Sequence, residues 1–426
     1  DLYWVGKLGK EAIAAVSLAG NLMLVVLALT QVLGVGTTTL ISHAAGRKDQ
    51  ERAQLVFNQS LVLSVLAGVG FALASFALRG AYSRWLGADG EIARLGQEYL
   101  AWFIPALALQ FALVSMGSAL RGTGIVKPMV LIQVATVMLN IILAPILIFG
   151  WGPGRALGVA GAALASLISI LLGTLALRRY FVGHARYLKF SPESWRPRLE
   201  VWWGMLRVGL PAGAEFALLA VYLVLVYWIL RPFGADAQAG FGIGGRMMQS
   251  MFLPVMAIAF ALAPLAGQNF GAQRADRVRE SFQSALLLCS SIMLALTAFC
   301  HIAPEAMIRA FSREPGVVAF GADYLRIISW NFLAAGIIFL SSSMFQALGN
   351  TLPALASSSM RLLLFALPAF LLAQQPGFRV RHIWYVSVVS VLLQAGMNLF
   401  LLRREYGRRL AFIPEAGAAP ATEPAT

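Results

Sequence analysis

Apolar runs long enough to cross a lipid bilayer recur eleven times along the chain, and no water-soluble architecture accommodates that number. They are Leu18–Ile41, Ala53–Leu78, Leu95–Leu120, Met129–Phe149, Val159–Leu177, Val208–Leu230, Ala239–Ala266, Phe282–Ile302, Tyr324–Phe345, Leu352–Ala373 and Ile383–Leu402. A helix rises about 1.5 Å per residue, so about 20 residues bridge the hydrocarbon core. Backbone groups inside lipid must be satisfied within the protein, which leaves helices or a closed barrel. The alternating ten-residue segments of a barrel are absent from the sequence. Only 12% of the 426 residues are charged, against about 25% in soluble domains. Prolines within the runs (Pro105, Pro145, Pro254, Pro264, Pro368) read as kinks supported by neighbouring helices.

The net charge of +14 does not indicate a nucleic-acid partner, because the basic residues lie in short clusters between apolar runs. Alternate connections form two sets. One carries Arg47, Lys48 and Arg52; Arg121 and Lys127; Arg178, Arg179, Arg186, Lys189, Arg196, Arg198 and Arg207; Arg274, Arg277 and Arg279; and Arg403, Arg404, Arg408 and Arg409. The other is sparser, with Lys7, Lys10, Arg79, Arg84, Arg94, Arg155, Arg231, Arg309, Arg313, Arg379 and Arg381. The positive-inside rule puts the richer set and the C-terminus in the cytoplasm. Cys289 and Cys300 share one apolar segment and offer no disulfide framework or metal-ligand spacing. No His-Glu-x-x-His or Gly-x-Ser-x-Gly motif supports an intramembrane enzyme. No metal, cofactor or obligatory protein partner is expected.

The two halves superimpose at a constant offset of 225 residues. Gly9 falls on Gly234, Gly46 on Gly271, Glu51-Arg52 on Asp276-Arg277, and Glu98-Tyr99-Leu100 on Asp323-Tyr324-Leu325. Further on, the offset is expected to slip by two, placing Gly122 on Gly349. Chance matches among Leu, Val and Ala do not produce such pairs, so the repeat is read as real. Each repeat spans six helices, so both halves keep one orientation, a parallel repeat about the membrane normal. The expected divisions are an N-terminal lobe (1–181), a cytoplasmic linker (182–206), a C-terminal lobe (207–404) and a disordered tail (405–426). The linker segment Val182–Leu206 also has Trp195, Trp202 and Trp203 among its arginines, a pattern suited to a membrane surface. The counterpart of Val208–Leu230 falls mostly before Asp1, so the first of twelve helices is expected to be truncated in this chain.

Several stretches resemble the multidrug and toxic compound extrusion family. They are Asp1-Leu-Tyr-Trp-Val-Gly-Lys-Leu-Gly9 with Ala14-Ala-Val-Ser17, Leu120-Arg-Gly-Thr-Gly-Ile-Val-Lys-Pro128, Leu139-Asn-Ile-Ile-Leu-Ala-Pro145, Gly158-Val-Ala-Gly-Ala-Ala163, Gly209-Leu-Pro211 and Pro264-Leu-Ala-Gly-Gln-Asn-Phe-Gly-Ala272. The resemblance implies an all-α, twelve-helix, two-lobed transporter that exports amphiphilic, often cationic, compounds in exchange for protons or sodium ions. It implies a cation-coupling role in the N-lobe for Asp1, with Asn140 and Ser166 matching an asparagine and a hydroxyl of the fifth and sixth helices. Two family carboxylates are replaced, by Ala144 and Ile337, which favours protons over sodium.

An ionisable group inside a span is expensive and is the first place to look for function. Glu215 lies about four residues from the middle of its helix, with no Lys or Arg within a turn. It reads as a protonatable, cation-attracting group facing a cavity, or as a carboxyl hydrogen-bonded to a neighbouring helix. Tyr222 lies seven residues on, along the same face. Arg246, among Gly240, Gly242, Gly244 and Gly245, is a candidate cavity residue or a snorkelling one. The expected protein is a bacterial inner-membrane antiporter with small amphiphilic substrates, lipid around it and no nucleic-acid partner. A flippase for lipid-linked saccharides and a receptor-like membrane protein without transport are the rival readings.

Overall fold

The computed structural model describes residues 2–86, 90–151, 156–184, 187–375 and 377–412. Regular structure among them is helical throughout: α1 (Leu2–Val5), α2 (Lys10–Gly46), α3 (Gln50–Leu86), α4 (Gly90–Gly122), α5 (Lys127–Phe149), α6 (Gly158–Gly183), α7 (Leu199–Leu230), α8 (Gly234–Gly271), α9 (Ala275–Ile302), α10 (Pro304–Arg309), α11 (Pro315–Ile328), α12 (Phe332–Ala347), α13 (Leu352–Ala373) and α14 (Val380–Arg409). A 3-10 turn at Ser329–Asn331 breaks one span into α11 and α12. Counted so, eleven spans are long and apolar enough to cross a bilayer, matching the eleven runs of the sequence.

The backbone reports the repeat more sharply than the side chains do. Residues with left-handed φ recur as pairs at one offset: Gly9 (126°) with Gly234 (84°), Lys48 (58°) with Gln273 (59°), and Gly124 (81°) with Gly349 (71°). Turn hydrogen bonds repeat with them. Asp49 N donates to Ala44 O as Arg274 N donates to Asn269 O, and Ile125 N to Leu120 O as Asn350 N to Phe345 O. The expected slip of two residues is therefore wrong at this turn, and the offset remains 225. Gly124, which needs the left-handed conformation, is the true partner of Gly349. Gly122 is glycine for another reason: it closes α4, and a Cβ there would lie 2.9 Å from Ile41 Cβ.

The main clusters of buried side chains follow the two halves. Two gather residues between Val5 and Met205, built largely on α2–α6, and a third gathers residues from Val226 to Leu410. Large apolar side chains such as Leu131, Leu287 and Leu367 are exposed, while Thr37, Ser42, Ser115 and Asn58 are buried. That inversion suits lipid, where close approach of small residues and hydrogen bonds, rather than the hydrophobic effect, hold helices together. Gly161 illustrates it, since a Cβ there would fall on Leu147 O.

The connection between the halves is shorter and better anchored than the sequence suggested. α6 runs to Gly183 and α7 starts at Leu199, because helix propensity persists past the apolar runs. The segment between docks on α3 through two fully buried amides. Asn58 Oδ1 accepts from Ser191 N (2.9 Å) and Trp195 Nε1 (3.1 Å), and its Nδ2 donates to Lys189 O (2.9 Å). Gln59 Nε2 donates to Ser194 O and Arg196 O, and its Oε1 accepts from Arg198 N. At the other end, α14 continues to Arg409, past the expected boundary at 404. Buried Glu405 holds it there, accepting from Arg409 Nε (2.9 Å) and Asn350 Nδ2 (3.1 Å). The expected disordered tail from 413 onward lies outside the described residues.

The halves meet along α2. Its second half lies against the start of α7, where a Cβ on Gly209 would fall on Val32 O and one on Gly36 on Met205 O. Among the described residues, the hydrogen bonds between the lobes cluster toward the end of the bundle bearing the richer basic set. His43 Nε2 donates to Ala347 O (2.6 Å), Thr39 Oγ1 to Gln346 O (3.1 Å), and Gln268 Nε2 to Gly122 O (2.8 Å). His43 and Gln268 are themselves 225 residues apart. Gly46 and Gly271 complete the quasi-twofold seam, each lying against the other lobe's backbone at Gln268 and His43.

Candidate functional site

The C-terminal half encloses a polar cluster in its membrane core. On α7, Gly209 and Gly213 face α2, while Glu215 and Tyr222 turn the other way, toward α12, α13 and α14. Glu215 Oε2 accepts from Ser342 Oγ of α12 at 2.9 Å, and Oε1 accepts from Ser358 Oγ of α13 at 3.3 Å. Ser358 Oγ in turn accepts from Gln394 Nε2 of α14 at 3.1 Å. Four helices thus converge on one carboxyl group. Glu215 belongs to none of the ion pairs among the described residues. A carboxylate removed from water without a cation must take up a proton, a cation or charged substrate to be stable.

One turn beyond Ser358 stands Arg361, a residue absent from the candidates drawn from the sequence. Its guanidinium carbon sits 4.8 Å from the centre of the Tyr222 ring, and its buried Nε has no hydrogen-bond partner. Tyr222 is fixed from both sides, by a hydroxyl contact with Ser387 Oγ (3.1 Å) and a tilted ring contact with Phe365 (4.8 Å). Gln394 Oε1, Asn398 Oδ1 and Ser341 Oγ are further buried polar atoms without protein partners. An isolated Arg in the run Leu352–Ala373 was a legible signal, because intramembrane charge is rare. Ser342, Ser358 and Gln394 carried none, since short polar residues are common between packed membrane helices.

In the N-terminal half, α5 and α6 bring together the two residues taken from the family resemblance. Asn140 Nδ2 donates to Ser166 Oγ at 3.1 Å. Asp1 lies outside the described residues. The short helix after it packs on the same elements, with Trp4 edge-on to Phe149 and Trp151 at 6.3 and 5.7 Å. Ala144, one turn from Asn140, is fully buried, so its place is filled by packed hydrocarbon. Arg246 is exposed on α8 and makes no side-chain ion pair or ring contact among the described residues; Ser250 Oγ bonds to its carbonyl. No three His, Cys, Asp or Glu side chains converge among the described residues.

The sequence model of the family described as MatE matches residues 1–146 and 211–371, most of the chain. The chain is similar to the multidrug export protein MepA of Staphylococcus haemolyticus, with 28% identity over 82% of this chain and 76% of that one. It is also similar to the FAD transporter of Shewanella oneidensis, with 26% identity over 86% and 81% of the two chains. Among solved structures, it superimposes on an outward-facing multidrug resistance MATE family transporter with a TM-score of 0.89 and 25% identity, covering 97% of this chain and 91% of that one. With its parallel repeat and its two-lobed helical fold, the chain belongs to the MatE family, that of multidrug and toxic compound extrusion.

Proposed function

We propose that the protein is a secondary-active antiporter that exports amphiphilic, chiefly cationic, organic compounds in exchange for protons, Glu215 being a site of exchange. The observation that carries this is a membrane-core carboxyl group held by two serine hydroxyls and paired with no cation among the described residues. Protons and cationic substrate compete for it. Substrate leaves when a proton arrives from the outer side, and the emptied lobe resets once that proton is lost inside. Tyr222 supplies an aromatic wall to the same space, and Arg246, exposed on α8, is a further residue for substrate to meet. Asp1, with Asn140 and Ser166, provides a second coupling site in the N-lobe, supported by the Asn140–Ser166 bond. Sodium is the other coupling ion the family uses; replacement of two family carboxylates by Ala144 and Ile337 argues for protons.

The basic end of the bundle is cytoplasmic in this reading, by the positive-inside rule, and the C-terminus with it. The protein then sits in the bacterial plasma membrane with its lobes sealed on the cytoplasmic side at His43, Gln268, Gly46 and Gly271. This is the outward-open half of an alternating-access cycle. The experiment is dye efflux from cells expressing the protein, with and without a proton gradient, beside Glu215→Gln. Gradient-driven efflux in the wild type and its loss in the variant are expected. Unaltered gradient-driven efflux in the variant would remove Glu215 from the mechanism.

A further inference from the structure

We propose that Arg361 is an anion-binding point in the C-lobe, so that this site accepts amphiphiles carrying a carboxylate or phosphate as well as a cationic group. This goes beyond the cation-exchange reading of Glu215. Arg361 lies in the middle of α13, where a guanidinium without a counterion is costly. Among the described residues it has no carboxylate partner. Glu215, on the neighbouring helix and linked to Ser358 one turn away from Arg361, bonds to two serines instead. The Tyr222 ring, 4.8 Å from the guanidinium carbon, compensates the desolvated charge in part, and the Nε donor has no hydrogen-bond partner among the described residues.

The repeat supplies an internal control. The residue of the N-terminal half at the same offset is Thr136, buried, with its hydroxyl bonded back to Ile132 O at 2.8 Å. The scaffold therefore folds with a small neutral side chain at this place, and nothing in its architecture requires a cation. A planar guanidinium matches carboxylate and phosphate in two-pronged geometry, which a lysine ammonium does not. The aromatic ring beneath it suits the flat body of an amphiphile, and Glu215 on the same face of α7 lies toward a cationic end. The substrate class these groups recognise is a flat zwitterion.

The test uses two dyes that differ only in the acid. Rhodamine 110 bears a free carboxylate and rhodamine 123 is its methyl ester. Binding of each to the purified full chain in detergent is measured by fluorescence anisotropy. Arg361→Gln is expected to weaken the free acid about tenfold or more, and to leave the ester within about twofold. Arg361→Lys keeps the charge without the fork and is expected to fall between. Equal weakening of both dyes in Arg361→Gln, or acid binding unchanged, would overturn the proposal. Should Arg361→Gln fail to fold, Arg361→Lys decides: a selective loss of acid affinity supports the proposal, and a loss shared by both dyes overturns it. The readout is binding without transport, so its failure leaves the coupling role of Glu215 untouched.

Discussion

Replacing Gly46 by alanine should prise open the seam between the lobes. The new Cβ would fall on Gln268 O and lie 2.9 Å from Ala272 N, both backbone atoms with no freedom to rotate away. Ordinary contact for such atoms is about 3.5 Å, so the lobes must part there by on the order of 1 Å. His43–Ala347 at 2.6 Å, Thr39–Gln346 at 3.1 Å and Gln268–Gly122 at 2.8 Å would then all stretch beyond hydrogen-bond range. At about 0.5–1.5 kcal/mol net for each bond, the sealed state loses about 1.5–4.5 kcal/mol. That shifts the ratio of open to sealed protein at this end by about tenfold to a thousandfold. Spin labels at Lys48 and Gln273, exposed and equivalent positions of the two repeats, read the separation directly. The buried Cys289 and Cys300 are first replaced by alanine. A longer, broader distance distribution is expected, and Gly271→Ala should reproduce it, since its Cβ meets the backbone of His43. An unchanged distribution with an intact thermal midpoint would refute the idea that these glycines permit the seal.

Other expectations follow from individual bonds. Asn58→Ala removes three bonds to the segment after α6 and should cost about 2–4 kcal/mol; a lower thermal midpoint in detergent and faster proteolysis within residues 187–198 would show it. Ser342→Ala deletes one of the two hydroxyls on Glu215 and should slow dye efflux at saturating substrate. Its neighbour Ser341, whose hydroxyl has no partner, is the control, and Ser341→Ala should stay within about twofold of wild type. Asn140→Ala should reduce gradient-driven efflux by breaking the Asn140–Ser166 pair, measured in the same cells.

Much of the fold was legible because lipid simplifies the rules. Apolar runs marked the spans, and the acid–Arg and acid–Tyr–Leu pairs marked the repeat. Helix ends were not legible, since hydropathy falls off before helix propensity does, as at Gly183, Leu199 and Arg409. Aligning Gly122 with Gly349 failed because a glycine letter does not say whether it serves a left-handed turn or a close approach. Glu215 was found by its cost in lipid. Arg361 bears the same cost in lipid and is marked by it equally, as a lone cation within the apolar run Leu352–Ala373. The groups around Glu215, Ser342, Ser358 and Gln394, come from three helices, and only the tertiary arrangement shows that they form one chain of hydrogen bonds to its carboxyl group. The docking of residues 187–198 through Asn58 and Gln59 was equally hidden, because two amides inside an apolar run look like ordinary helix interior.

Exchange at Glu215 is tested most directly by counting protons. A cationic dye that the protein exports is added to purified, weakly buffered protein, and proton release is followed with a pH indicator. Release on dye addition is expected from the wild type, reduced by at least about half in Glu215→Gln, the remainder belonging to the N-lobe site. Equal release from wild type and variant, with dye binding intact in both, would contradict exchange at this carboxyl group.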